Sequence, residues 1–116
     1  MRSLLVLLAV LLALPAAAQD FLTQGREALA RASYQYDADS LLTARGLLSL
    51  AATAEGPEAD WATYYAALAD YRLATVFWAS DPERADEHAL QGTNAIAELR
   101  REDSDDPVLN AEAAAL

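Results

Sequence analysis

The chain is 116 residues long, carries 18 acidic against eight basic residues for a formal charge of −10, and has no cysteine. Nucleic acid and anionic membrane surfaces are poor partners for so acidic a chain, because such binding needs clustered cations to meet the phosphates. Without cysteine there is no disulfide framework and no thiol catalysis, so the fold must be held by its hydrophobic core alone.

Residues 1–18, MRSLLVLLAVLLALPAAA, have the pattern of a secretory signal peptide. Arg2 supplies a short positive start, Leu4 to Leu14 an apolar run, Pro15 a helix break and Ala16 to Ala18 a small-residue cleavage site. The apolar run is shorter than the roughly 20 residues a bilayer core needs, which argues against a retained anchor. No cysteine follows for lipid attachment. Cleavage would leave residues 19–116, a single small domain of 98 residues with seven arginines against 18 acids, a formal charge of −11. The expected location is periplasmic or secreted, with no stable membrane anchor once the leader is removed.

The remaining chain reads as five helices. The first, over residues 20–36, repeats Phe21, Gly25, Ala28, Leu29, Ala32 and Tyr36 at helical spacing, with polar residues opposite. Asp37 to Ser40 form a turn rich in N-cap residues. The second helix, over 40–54, aligns Leu41, Ala44, Leu47, Leu48 and Ala51, and Gly56-Pro57 ends it, with glycine as a left-handed cap.

The third helix, over 58–79, holds both tryptophans, three of the five tyrosines and one of the two phenylalanines. On a wheel of about 100° per residue, Trp61, Tyr65, Leu68, Val76 and Ala79 share one side. Tyr64, Tyr71 and Trp78 flank them, Ala69 and Leu73 take the other edge, and Asp70 and Thr63 point away. So apolar a helix has to be covered on at least two sides, its alanines admitting close neighbours and its aromatics building the interior. Asp81 and Pro82 open the fourth helix, over 82–101, as N-cap and first residue. It buries Ala85, Ala89, Gly92, Ile96 and Leu99; mid-helix Gly92 costs about 1 kcal/mol against alanine, so a close helix contact is expected there. A polar loop, Asp103 to Asp106, offers caps for a short fifth helix over 107–116.

Two helix pairs and the start of a third resemble tetratricopeptide repeats. Ala44, Leu48 and Ala51 match the spacing of the second helix of such a repeat, with Pro57 one residue late. Ala67 and Leu73 match the small and large apolar positions of the following first helix, while Asp70 stands where a tyrosine is usual, with Tyr71 beside it. The resemblance covers about Leu41 to Leu73, and Asn110 to Ala113 look like the opening of another repeat whose partnering helix is missing, through a truncated reading frame or a short protein. It implies an all-α, short, degenerate α-solenoid that binds a protein or peptide on a concave face.

No catalytic set emerges. His88 is the only histidine and reads as a partly exposed helix residue near acids; a zinc site needs further nitrogen or sulfur ligands. The Asp103 to Asp106 run lacks the glycine and the final glutamate of a calcium loop. No serine has a histidine at motif spacing, and no phosphate-binding loop occurs. No enzyme activity, cofactor or metal is expected. Arg72 falls within the aromatic face, either as an anchor for a partner's carboxylate or with its stem packed on the rings and its head in solvent. Arg72, Tyr64, Tyr65 and Tyr71 are the candidate partner-binding residues. The competing expectation is a structural bundle that self-associates through its terminal helix.

Overall fold

The computed structural model describes residues 20–35, 37–54 and 56–116. The expected signal segment and Tyr36 lie outside them. Among the described residues the chain is all-helical, with no strand: α1 (residues 20–35), α2 (Ala38–Ala51), α3 (Pro57–Phe77), α4 (Pro82–Glu102) and α5 (Pro107–Ala115). None of these helices is long and apolar enough to cross a membrane.

The junctions follow local chemistry. Asp37 caps α2: one carboxylate oxygen accepts from the Asp39 amide at 3.3 Å and the other from the Ser40 hydroxyl at 2.6 Å. With Asp37 in that role the helix begins at Ala38, two residues before the expected start at Ser40. The Ser40 hydroxyl also holds the Asp37 carboxyl below the usual carboxylate range. α2 closes at Ala51, not Ala54, because the amides of Thr53 and Ala54 turn back only three residues, to the carbonyls of Leu50 and Ala51. Gly56 takes a positive φ of 105° as expected, but with ψ −172° it is not a left-handed cap of α2. It is the N-cap of α3, in a region open to glycine and closed to other residues. α3 ends at Phe77, two residues early: the residue before Pro82 is kept out of the helical region, so residues 78–80 form the reversal, closed by the Asp81 amide on the Phe77 carbonyl at 2.8 Å.

α3 lies at the centre. Leu29 and Ala32 of α1, Leu41, Ala44 and Leu48 of α2, and Ala69 and Leu73 of α3 form one core. Tyr64 and Ala67 of α3, Ile96 and Leu99 of α4, and Leu109 and Ala113 of α5 form a second. The covering of α3 on two sides agrees with its composition. The residues that fill the interior do not: Ala62, Ala67, Ala69 and Leu73 are fully buried, while Trp61, Tyr65 and Tyr71 are half-buried and Trp78 is 75 % exposed. The physical reason is distance. Alanines on the covered faces bring the neighbouring backbones close, so of the tryptophans and tyrosines of α3 only Tyr64 enters the core, Trp61, Tyr65 and Tyr71 sit along the rims, and Trp78 lies beyond the helix end.

Gly92 makes the close contact its cost demands. A Cβ there would stand 3.0 Å from the Tyr71 ring and 3.2 Å from the Ala67 carbonyl oxygen. α5, nine residues long, is docked by Leu109 and Ala113 and capped by Asp106, whose carboxylate accepts from the Val108 and Leu109 amides. Short helices are marginal alone; the burial of Leu109, worth about 2 kcal/mol for a leucine, supplies what local propensity lacks.

Candidate functional site

The four residues singled out in the sequence are distributed over three surroundings. Tyr64 turns towards α5: it is buried, and its hydroxyl donates to the Glu112 carboxylate at 3.3 Å. Burial, reinforced by the Glu112 charge, raises its pKa above the usual tyrosine value. Tyr71 turns towards α4, its ring against Gly92 and its hydroxyl 3.4 Å from the Thr93 hydroxyl. Only Tyr65 and Arg72 share a surface. Seven residues apart on α3, they stand on one helical stripe with Leu68 between them.

That stripe faces α1 across an open groove of about 710 Å³, lined among others by Arg26, Glu27, Tyr34, Tyr65, Leu68 and Arg72. The Tyr65 ring is braced on both elements. Trp61 stacks with it at 5.9 Å and 29°, and the Arg26 guanidinium lies 4.9 Å from its centroid. Tyr34 is 90 % exposed on the other wall. Arg72 is half-buried, and its Nε is buried with no hydrogen-bond partner among the described residues. Arg26 and Arg72 also take part in no ion pair there. The groove therefore offers two cations, one acid and a row of ring and aliphatic surface.

A second cluster was not foreseen. Asp70, expected to point away from the aromatic face, is 2 % exposed, and His88, expected to be partly exposed, is 8 % exposed. One Asp70 carboxylate oxygen accepts from Arg45 Nε at 2.6 Å and from His88 Nδ1 at 2.8 Å, tying α2, α3 and α4 together. Arg45 reaches on to Gln91 at 2.9 Å, and the His88 ring stacks on Phe77 at 5.9 Å, with the Arg84 guanidinium 4.5 Å from the same phenyl ring. The carboxylate is acceptor-only, which fixes the His88 proton on Nδ1. Both errors share a cause. Asp70 falls three residues after Ala67 and three before Leu73, and His88 three after Ala85 and four before Gly92, so each stands on a buried stripe. Polar character was weighed above position, although a partner makes such burial affordable.

The cluster has the geometry of an oriented imidazole, with the His88 Nδ1 held on the Asp70 carboxylate. The nearby recess of about 280 Å³ is lined by Ala74, Thr75, Trp78, Ala85, Asp86 and Ala89, not by His88. Among the described residues no group of three His, Cys, Asp or Glu side chains could hold a metal ion. The arrangement joins helices. The α1–α3 groove is where unsatisfied binding capacity remains.

The Asp103 to Asp106 run also acts locally. Asp103, at φ 48°, is the left-handed C-cap of α4, and Asp106 both caps α5 and accepts from the Trp61 indole N–H at 3.0 Å. That indole bond, with help from the two capped amides, holds the Asp106 carboxyl below the usual range. Comparison with family models, with curated proteins and with solved structures finds no match to the chain.

Proposed function

We propose that the chain is an exported protein-interaction module: a short, tetratricopeptide-like array of antiparallel helix pairs, without catalytic activity of its own, that holds a protein or peptide segment against the α1–α3 groove. The observation that carries this reading is the Tyr65–Leu68–Arg72 stripe, which presents apolar surface and an unpaired cation to solvent in an elongated trough. The mechanism is geometric. Packed helices hold the trough open, so a bound segment is the only part that must lose conformational freedom. Export rests on the composition of residues 1–18 and nothing else.

The test is selection of peptides from a displayed library, followed by titration of the selected peptides. Binding that is lost in Leu68→Glu, with helicity retained by circular dichroism, supports the module; affinity unchanged by Leu68→Glu overturns the groove. A fusion of residues 1–18 to an enzyme active only outside the cytoplasm tests export.

A second reading, a self-associating bundle, draws on a different surface. Trp78 projects beside the small apolar recess formed by Ala74, Ala85 and Ala89. Light scattering separates the two: a tight dimer that dissociates on Trp78→Ser favours the bundle, and a monomer favours the module.

A further inference from the structure

We infer that the groove selects its partner by a single carboxylate, an aspartate or glutamate side chain set between apolar residues of the bound segment, with Arg72 as its anchor and Arg26 as a second cation. The inference rests on the reading of the groove as the binding face and names the chemistry of its occupant.

The first support is the state of Arg72. Its Nε is buried without an acceptor, and a desolvated, unpaired donor on a charged group is costly. A carboxylate meets the planar guanidinium in a two-pronged arrangement, and with Nε closed off from solvent it is the two terminal nitrogens that a carboxylate in the groove reaches. The chain does supply carboxylates where an arginine is structural. Arg45 has Asp70 and Gln91, although 18 acids were equally available to Arg72. Arg72 differs in being left for something outside the described residues.

The second support is Arg26. Its guanidinium is fixed over the Tyr65 ring, which occupies its face and leaves its N–H edge for an acceptor. Two cations on opposite walls thus flank the trough.

The third support is charge balance. Arg26, Arg72 and Glu27 together leave the groove one net positive charge, which matches a monoanion. A phosphate dianion would meet Glu27 as well, and a polyanionic strand would face a chain of net charge −10. Tyr34, Tyr65 and Leu68 supply the apolar contacts on either side of the charge, so a lone acidic residue between apolar neighbours is the complementary sequence.

The experiment titrates the isotope-labelled protein with acetyl-Leu-Asp-Phe-amide and with acetyl-Leu-Asn-Phe-amide, following the Arg72 Nε–H resonance. The aspartyl peptide should shift that resonance and saturate, and the asparaginyl peptide should bind at least tenfold more weakly, as expected for a charge-assisted bond worth about 1.5–3 kcal/mol. Arg72→Gln should lower the aspartyl affinity by about tenfold. Arg72→Lys should recover only part of it, and Arg26→Gln should cost less than Arg72→Gln, all with unchanged helicity. Equal binding of the two peptides, abolished by Leu68→Glu, would keep the groove as the binding face and remove the carboxylate. Binding of neither peptide would overturn both readings. Inorganic phosphate displacing the aspartyl peptide better than acetate does would overturn the monoanion. A concentration-dependent dimer dissociated by the peptide would put a second copy of the chain in the groove and overturn a foreign partner.

Discussion

Asp70 and Arg72 stand two residues apart on α3 and live in opposite surroundings. Asp70 faces the seam with α2 and α4, is almost wholly buried, and has two partners, Arg45 and His88, drawn from two other helices. Arg72 faces the groove beside α1, is half-buried, and has no partner for its buried Nε. One helix thus carries a closed side, where a buried charge is answered within the chain, and an open side, where one is not. A charge satisfied internally is part of the scaffold, and on the proposed reading a charge left unsatisfied at a trough is there for a ligand.

The largest test of the closed side is Asp70→Ala. It leaves Arg45 and His88 without their common acceptor, and breaking a buried charge pair by removing one member costs about 3–5 kcal/mol. Arg45 keeps 31 % of its side-chain surface in solvent, so about 3 kcal/mol is expected, read as a fall in the urea midpoint. Asp70→Asn should cost less, because the amide oxygen still accepts from one donor. A loss below about 1 kcal/mol for the alanine variant would mean that water already answers Arg45 and His88.

Next comes the tightest contact of the same seam. Gly92→Ala places a methyl against the Ala67 carbonyl, a backbone atom that cannot swing aside, and overpacking of this kind costs about 1–3 kcal/mol. Gly46→Ala is the control. Nothing lies within 4 Å of a Cβ there, in the exposed middle of α2, so the helix should gain up to about 1 kcal/mol. Opposite signs for the same substitution, read by thermal unfolding, would locate the close approach at α3–α4.

The same contrast explains what was legible in the sequence. Helix number, the caps at Asp81 and Asp106 and the close contact at Gly92 are local matters of period, turn chemistry and glycine, and all were readable. The rims of α3 were not. Ring size argues for burial in a sequence, whereas in the fold the alanines on the same helix decide how near the neighbours come, and so leave Trp61, Tyr65 and Tyr71 at the edges while Tyr64 alone of them is buried. The Asp70–His88–Arg45 cluster joins positions 25 and 18 residues apart, and no local rule pairs them. Its stripe register was visible all the same. For the groove, Arg72 and Tyr65 were legible as a pair on α3, but Arg26 and Tyr34 reach it from α1, a placement that only tertiary packing fixes.

On the open side the expected change is smaller and reversed. Arg72→Leu removes a buried donor that has no acceptor and leaves an aliphatic side chain in the groove wall, so stability should rise by about 1 kcal/mol while binding of the aspartyl peptide falls. A residue kept at a cost to stability is the mark of a binding site. If Arg72→Leu destabilised the protein instead, the arginine would be packing into the fold, and the distinction between the two sides of α3 would fail.

The smallest effect concerns the far end, where α5 is held to α3 by a carboxylate that is answered internally yet lies near the surface. Asp106 accepts from the Trp61 indole and caps α5, and its folded pKa is lowered, chiefly by the indole bond. A depressed carboxylate contributes stability above its unfolded pKa, about 4, and loses that contribution as pH falls through the folded value. Acid should therefore release α5 before the rest, since a nine-residue helix opens at lower cost than the α2–α3–α4 seam. In a Trp78→Phe background, where Trp61 is the sole indole, the emission should shift to the red below about pH 4 while far-ultraviolet helicity is largely retained. Asp103 and Asp105 lie in the same loop, so Asp106→Asn provides the control: its amide oxygen can still accept from Trp61 and cap the helix, but it carries no proton to gain in this range. A red shift that persists in Asp106→Asn would assign the acid response to the neighbouring aspartates, and the indole bond would no longer be what holds α5 in place.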